Sequence, residues 1–370
     1  MQAFFKPDSA AHVEVEGRRL INFCGNDYLG LARDPRLAVA FAAASAELGV
    51  GAGASHLISG HGREHERLEA ALAAFTGCEQ ALLFSTGYMA NLAVVTALAG
   101  RGALLLLDRL SHASLIDAAL LSRARLCRYP HGDAAGLKRL LERRAAPARP
   151  VSIATDGVFS MDGDLAPLPQ LVALAHARGA SLIVDDAHGL GVVGPGGHGT
   201  LAHFGLGGDA VTALVGTFGK AFGTFGAFVA GSAALIEHLI QSARTYIYTT
   251  ALPQPLAAAT RAALEIAQRE SWRRERVLAL TARFRAAAGA AGIALTASPT
   301  PIQPILLGSS EAALAASRAL EAAGLWVAAI RPPTVPAHAA RLRVTLSAAH
   351  TEAEVDRLVA TLARILPVPP

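Results

Sequence analysis

The chain has 370 residues, 52% of them hydrophobic and 17% charged, with a formal net charge of +4. This excludes a disordered chain and leaves room for a large core and more than one domain. The positive charge is scattered arginine rather than a stripe interleaved with aromatics, which argues against a nucleic-acid partner.

Cys24, Cys78 and Cys127 are an odd, widely spaced set. They form neither a disulfide framework nor a zinc motif, and they fit a reducing cytoplasm. The mean hydropathy is +0.37. The uncharged run 221–236 is interrupted by Gly223, Gly226 and Gly231 and is too short to span a membrane. The first residues carry no secretory signal pattern.

Residues 13–23 alternate around Gly17, which predicts a small hairpin, and 26–30 follow as a turn. A helix is expected over 35–48, with Asp34 before it and Gly49 after it. Residues 51–62 read as a glycine-rich loop. Helices and short apolar runs then alternate. Helices are expected at 64–75, 87–99, 134–143 and 168–178, with another capped by Ser111 and running to 121. Strands are expected at 81–84, 103–107, 124–129, 151–155, 181–184, 210–216 and 226–230. This pattern predicts an α/β domain with a mostly parallel sheet. Beyond 250 comes a helical stretch over 253–291, broken near Glu270 and Ser271. A strand near 302–306, a helix at 311–323, strands near 325–330 and 342–346 and a helix at 352–365 complete a smaller α+β domain. The expected division is an N-terminal segment at 1–28, a large domain at 29–265 and a small domain at 266–370.

Lysine occurs only as Lys6, Lys138 and Lys220. Lys220 stands alone in the apolar, glycine-rich run Thr217-Phe218-Gly219-Lys220-Ala221-Phe222-Gly223. Desolvation there favours the neutral amine, the form a Schiff-base lysine needs. The other reading is a surface lysine that snorkels. The remaining candidates fall at strand ends, where ligands collect in open α/β sheets.

Ser85 to Asn91 joins a strand to a helix start, and is either an anion cradle or an ordinary capped turn. His112, in the first turn of a helix, either stacks on a planar ring or is structural. Residues 156–164 form an acidic turn whose spacing does not match an EF-hand. Asp185 ends a buried strand and calls for a partner: a protonated pyridine nitrogen or a structural cation, with His188 close by in sequence. Arg341 and Arg343 share one face of a strand, as a carboxylate fork or as a surface pair. Taken together, these are the parts of a pyridoxal phosphate (PLP) site for an amino acid. There is no GxxxxGK[ST], HExxH or GxSxG motif, and no metal site is expected.

The order Asn26-Asp27-Tyr28-Leu29-Gly30, Asp108 to Ser114, Asp156 to Asp164, Val184 to Gly189 and Thr217 to Lys220 resembles the α-oxoamine synthase family. The resemblance covers about 20–365. It implies a fold-type I PLP-dependent transferase: a mostly parallel sheet of the seven-stranded type flanked by helices, a smaller C-terminal α+β domain and a short N-terminal β segment. It also implies that Lys220 holds PLP, Asp185 pairs with the ring nitrogen, His112 stacks on the ring and His188 bonds the ring oxygen. Gly87, Tyr88, Ser160 and Thr217 would contact the cofactor or its phosphate. Arg343 would take the amino-acid carboxylate, with Asn26 and Thr334 on the substrate side.

Residues 330–336 and 341–346 are most similar to the members that join L-alanine to a pimeloyl thioester, on coenzyme A or acyl carrier protein, in biotin biosynthesis. Sister enzymes use glycine or serine with other acyl groups, and such families also contain inactive partner subunits. The resemblance further implies a cytoplasmic homodimer with shared active sites, in which Thr249 or Thr250 reaches the partner's phosphate. It implies a substrate-contacting arginine ahead of the hairpin as well, yet no arginine precedes Arg18 here.

Overall fold

The computed structural model describes residues 5–7, 11–145 and 149–366. They fall into two compact units. One comprises Pro35–Phe159 and Leu165–Gln268; the other comprises the described residues of Met1–Asp34, Ser160–Asp164 and Arg269–Pro370.

The first unit is built on a seven-stranded sheet. Its strands in chain order are β1 (Gln80–Phe84), β2 (Leu104–Asp108), β3 (Arg125–Tyr129), β4 (Val151–Asp156), β5 (Ser181–Asp185), β6 (Ala213–Thr217) and β7 (Ala227–Gly231). They lie in the order β1-β7-β6-β5-β4-β2-β3. β7 runs antiparallel to both neighbours, and the other pairings are parallel.

Both faces of this sheet are covered, because successive side chains of a strand point to opposite sides. Leu105 and Leu107 join Ala154, Ile183 and Val215 in one apolar cluster, with Ala90, Ala93 and Val94 of the helix Gly87–Leu98. Leu104 and Leu106 join Ile153, Leu182 and Val184 in the other, against Leu171 and Ala175 of the helix Leu168–Arg178. Strands buried on both sides read as unbroken apolar runs, which is why they were legible.

Three local readings are corrected. The helix after β2 is capped by His112, not Ser111: the His112 ring nitrogen accepts the Ser114 N–H, while the Ser111 N–H returns to the Asp108 carbonyl in a turn. The strand expected from 210 begins at Ala213, because Gly208–Ala210 forms a short 3₁₀ turn. The glycine-rich loop contains a π-helical turn, His56–Gly60.

In the second unit, β-strands Ile302–Gly308, Ala340–Thr345 and Ala328–Ile330 make one antiparallel sheet. Arg18–Asn22 pairs with His12–Val15 as the expected hairpin, and with Leu325–Trp326 in parallel. The single strand expected over 325–330 is therefore two short ones, divided between two sheets at Val327. The long helical stretch breaks where expected, into Gln254–Arg269 and Ser271–Ala290. Among the described residues no helix is long and apolar enough to cross a membrane.

Candidate active site

At the C-terminal ends of the parallel strands of the first unit lies a cavity of about 190 Å³. Gly87, Tyr88, His112, Asp185, His188, Thr217 and Lys220 all line it. Each is put there by an element end. Thr86 caps the helix Gly87–Leu98 by accepting the Met89 N–H. The N–H groups of Gly87 and Tyr88 open that helix and have no intrahelical partner. A side chain at Gly87 would meet nothing closer than the Thr217 Cβ at 3.9 Å. The glycine thus keeps open space in front of the helix start, as an anion cradle requires.

Asp185 ends β5 and is buried. Its Oδ1 accepts the Ala187 N–H at 3.0 Å and its Oδ2 accepts the Asn91 amide at 2.6 Å. Asp186, next in sequence, belongs to a different environment. It accepts the Thr200 N–H at 2.7 Å, and burial pushes its carboxyl up to about 7. A Cβ at Gly189 or Gly199 would come within 2.0 or 2.1 Å of its oxygens, so glycine makes room for it.

His112 is fixed twice: its N–H donates to Asp156 Oδ2 at 3.0 Å, and its Nδ1 lies 2.7 Å from Ser114 Oγ. Asn91 donates to that same Oγ at 2.9 Å, so the Ser114 hydroxyl proton is directed to His112 Nδ1. The neutral ring then carries its proton on Nε2. Burial holds the imidazole below the usual histidine range, against the pull of Asp185. Asp156 ends β4 directly beside Asp185 in register. Burial first, and then the Asp185 charge, hold its carboxyl well above the usual range, toward the neutral acid.

Lys220 follows β6 on the connection to β7, and is half-buried at the cavity wall. The Thr217 hydroxyl donates to the Gly226 carbonyl at 3.0 Å and closes the neck of that connection.

Asn91, Ser114 and Asp156 line the same cavity and had been given no role from the sequence. The signal for Asp156 was present, since it ends a buried strand as Asp185 does. For Asn91 the signal was its place one helical turn after Gly87.

The second unit holds the other expected residues. Arg343 donates through Nε to the Ser160 carbonyl at 2.6 Å, and through both Nη groups to Asn26 Oδ1 at 3.3 and 3.2 Å. Arg341, on the same face of its strand, donates to the Met161 carbonyl at 3.0 Å and pairs with Asp162 at 2.5 Å. Thr334 is exposed in a turn, its N–H bonded to the Arg331 carbonyl at 3.0 Å.

The first-unit cavity fits pyridoxal phosphate. It offers open N–H groups for a phosphate, a carboxylate for a ring nitrogen, a neutral imidazole and one primary amine. The buried Asn91 Oδ1 has no hydrogen-bond partner among the described residues, so a polar group from a ligand has an acceptor waiting. Fold and site together define a fold-type I PLP-dependent transferase.

The chain belongs to the aminotransferase class I and II family, whose model matches residues 18–362. It is 59% identical over 350 residues to the 8-amino-7-oxononanoate synthase of Pseudomonas paraeruginosa, spanning 95% of this chain and 86% of that protein. Among solved structures it is similar to a serine palmitoyltransferase of S. paucimobilis with a bound PLP–myriocin adduct, at a TM-score of 0.94 and 32% identity, covering 98% of this chain and 92% of that one. An 8-amino-7-oxononanoate synthase of Francisella tularensis matches at a TM-score of 0.82 and 30% identity, covering 93% and 97%.

Proposed function

We propose that this protein catalyses the reaction of the 8-amino-7-oxononanoate synthases. In that reaction L-alanine condenses with a pimeloyl thioester, on coenzyme A or acyl carrier protein, with loss of carbon dioxide, in biotin biosynthesis. The observation that carries this reading is 59% identity across 95% of the chain to an enzyme of that name.

When bound, PLP supplies an electron sink for charge that develops at the α-carbon of alanine. The residues act around that sink. The Lys220 amine would hold the cofactor, and would take and return the α-proton of the amino acid. The Asp185 carboxylate keeps a proton on the ring nitrogen, and Asn91 and the Ala187 N–H hold it in place. His112 packs on the ring with its tautomer fixed by Ser114. His188 bonds the ring oxygen. Gly87, Tyr88, Ser160 and Thr217 bind the cofactor or its phosphate. Arg343 takes the carboxylate of the amino acid, with Asn26 and Thr334 on the substrate side.

The proposal extends to a cytoplasmic homodimer in which Thr249 or Thr250 serves the partner's phosphate. The half-buried Thr249 and exposed Thr250, beside the 71% exposed Tyr248, are consistent with a covered surface. It also keeps the division into 1–28, 29–265 and 266–370.

A sister reaction using serine or glycine is the second reading, favoured by the TM-score of 0.94 to a serine palmitoyltransferase. A substrate matrix decides between them: L-alanine, glycine and L-serine against pimeloyl-, acetyl-, succinyl- and palmitoyl-CoA, followed by CO₂ release. Turnover is expected to be fastest with L-alanine and pimeloyl-CoA. A preference for another pair overturns the reading, and failure to bind PLP would instead mark an inactive partner subunit.

A further inference from the structure

In the first unit a second cavity, of about 640 Å³, is lined by His56, His61, Glu66, Glu69 and Tyr246 among others. It shares no lining residue with the PLP cavity. Two imidazoles, of His56 and His61, stand on its wall, and that of His65 lies next to them. His56 comes from the π-helical turn His56–Gly60, His61 from the residue after it and His65 from the first turn of the helix Arg63–Thr76. One ligand nitrogen from each lies within 4.8 Å of the other two. His56 and His65 are buried and His61 is half-buried.

We propose that His56, His61 and His65 bind a divalent transition-metal ion of the zinc type. Imidazole nitrogens suit Zn²⁺, Ni²⁺ and Cu²⁺ over the hard oxygen-seeking cations. Three protein ligands with one open position form a recognised zinc arrangement, with Zn–N of about 2.0–2.1 Å. That geometry sets nitrogens about 3.3 Å apart, so the set contracts only modestly around an ion. The Nδ1 atoms of His56 and His61 are already 2.9 Å apart.

The outer nitrogens support this reading. His65 Nε2 donates to the Leu252 carbonyl at 2.5 Å, which leaves its Nδ1 with the lone pair; that lone pair now accepts the Gly62 N–H at 3.0 Å. His61 Nε2 faces Glu69 Oε2 at 3.9 Å. A backbone carbonyl and a carboxylate are the partners that orient metal-binding imidazoles from behind. His56 is held by stacking on Tyr246, with centroids 4.8 Å apart and an interplanar angle of 13°. His56 and His61 line the cavity, from which a water could reach the fourth position. The ion would tie the glycine-rich loop to the helix that follows it.

The test uses the PLP-loaded protein, stripped with EDTA and dialysed, then titrated with Zn²⁺ against a chromogenic chelator. One ion per chain is expected, with a dissociation constant below about 1 μM. Because PLP itself binds metals weakly, the variants carry the assignment. His61→Gln, in the half-buried loop position, should lose at least about 100-fold in affinity, and Glu69→Gln about 10-fold or more. The melting temperature of metal-free His61→Gln, compared with the parent, shows that the fold survives. If the parent binds no zinc tighter than about 10 μM, or His61→Gln binds as tightly as the parent, the proposal is overturned.

Discussion

Asn91 holds Asp185 through a 2.6 Å hydrogen bond, and with its second amide proton it sets the hydroxyl that orients His112. One amide therefore positions both the expected partner of the ring nitrogen and the expected ring-stacking imidazole. Removing it should disturb both at once. Asn91→Ala is expected to lower kcat/KM by about 10- to 100-fold, the worth of one hydrogen bond to a charged group. The absorbance of the bound cofactor should shift in pH dependence as well. An unchanged spectrum and pH profile would reduce Asn91 to packing.

Lys220→Ala should abolish turnover, by at least about 1,000-fold, because anchor and proton carrier are lost together. Borohydride treatment followed by peptide mapping should label Lys220 in the parent and no lysine in the variant. Lys220→Arg should not rescue activity, since a guanidinium stays charged at any working pH.

Arg343→Lys tests the carboxylate fork. The guanidinium bridges the Ser160 carbonyl and Asn26 Oδ1 with a planar geometry that an ammonium cannot reproduce. The KM for the amino acid should rise by about 10- to 100-fold. PLP affinity and the KM for the thioester should stay near their parent values. An equal rise in both KM values would point to general loosening.

His350 gives a prediction for stability. It is buried, stacks on Phe23 at 4.4 Å, accepts the Ser347 N–H and donates to the Asn22 carbonyl. Burial lowers its pKa to about 4 from an ordinary 6.5. The unfolded chain therefore binds the proton first. Stability from this group is complete above about pH 6.5 and falls as pH drops toward 4. Between pH 7 and pH 5 the parent should lose about 2 kcal/mol that His350→Gln does not lose. Urea unfolding of both proteins at the two pH values measures the difference, and parallel losses would rule the linkage out.

Asp185 and Lys220 were legible in the sequence because each breaks a local rule: a carboxylate at the end of a buried strand, an amine in an apolar run. Asn91 breaks none. An amide inside a helix that also carries Ala90, Ala93 and Val94 looks like part of a repeating face, and only the neighbouring strand end gives it a job. Ser111 was the expected cap because serine outranks histidine at that position. The chain instead turns at Ser111, and the ring nitrogen of His112 reaches the Ser114 N–H. The run 325–330 carries one apolar signal, yet two different sheets recruit its halves. Pairing partners far away in sequence leave no local mark. The three histidines lie in a stretch whose glycines signal a loop, and their convergence depends on a π-helical turn that periodicity does not reveal.

The antiparallel β7 has a consequence for motion. Thr217 and Ala227 face each other in register, and the Phe218 N–H bonds to the Gly226 carbonyl at 2.9 Å. Lys220 thus sits on the tip of a hairpin whose two strands are both paired on each side within the sheet, not on a crossover that could swing. The proposed cycle asks the amine to let go, carry a proton and reattach. With the backbone pinned on both sides, rotation about the four methylenes of the side chain supplies that travel. Those rotations take picoseconds to nanoseconds, so release and recapture need not wait for a loop to open.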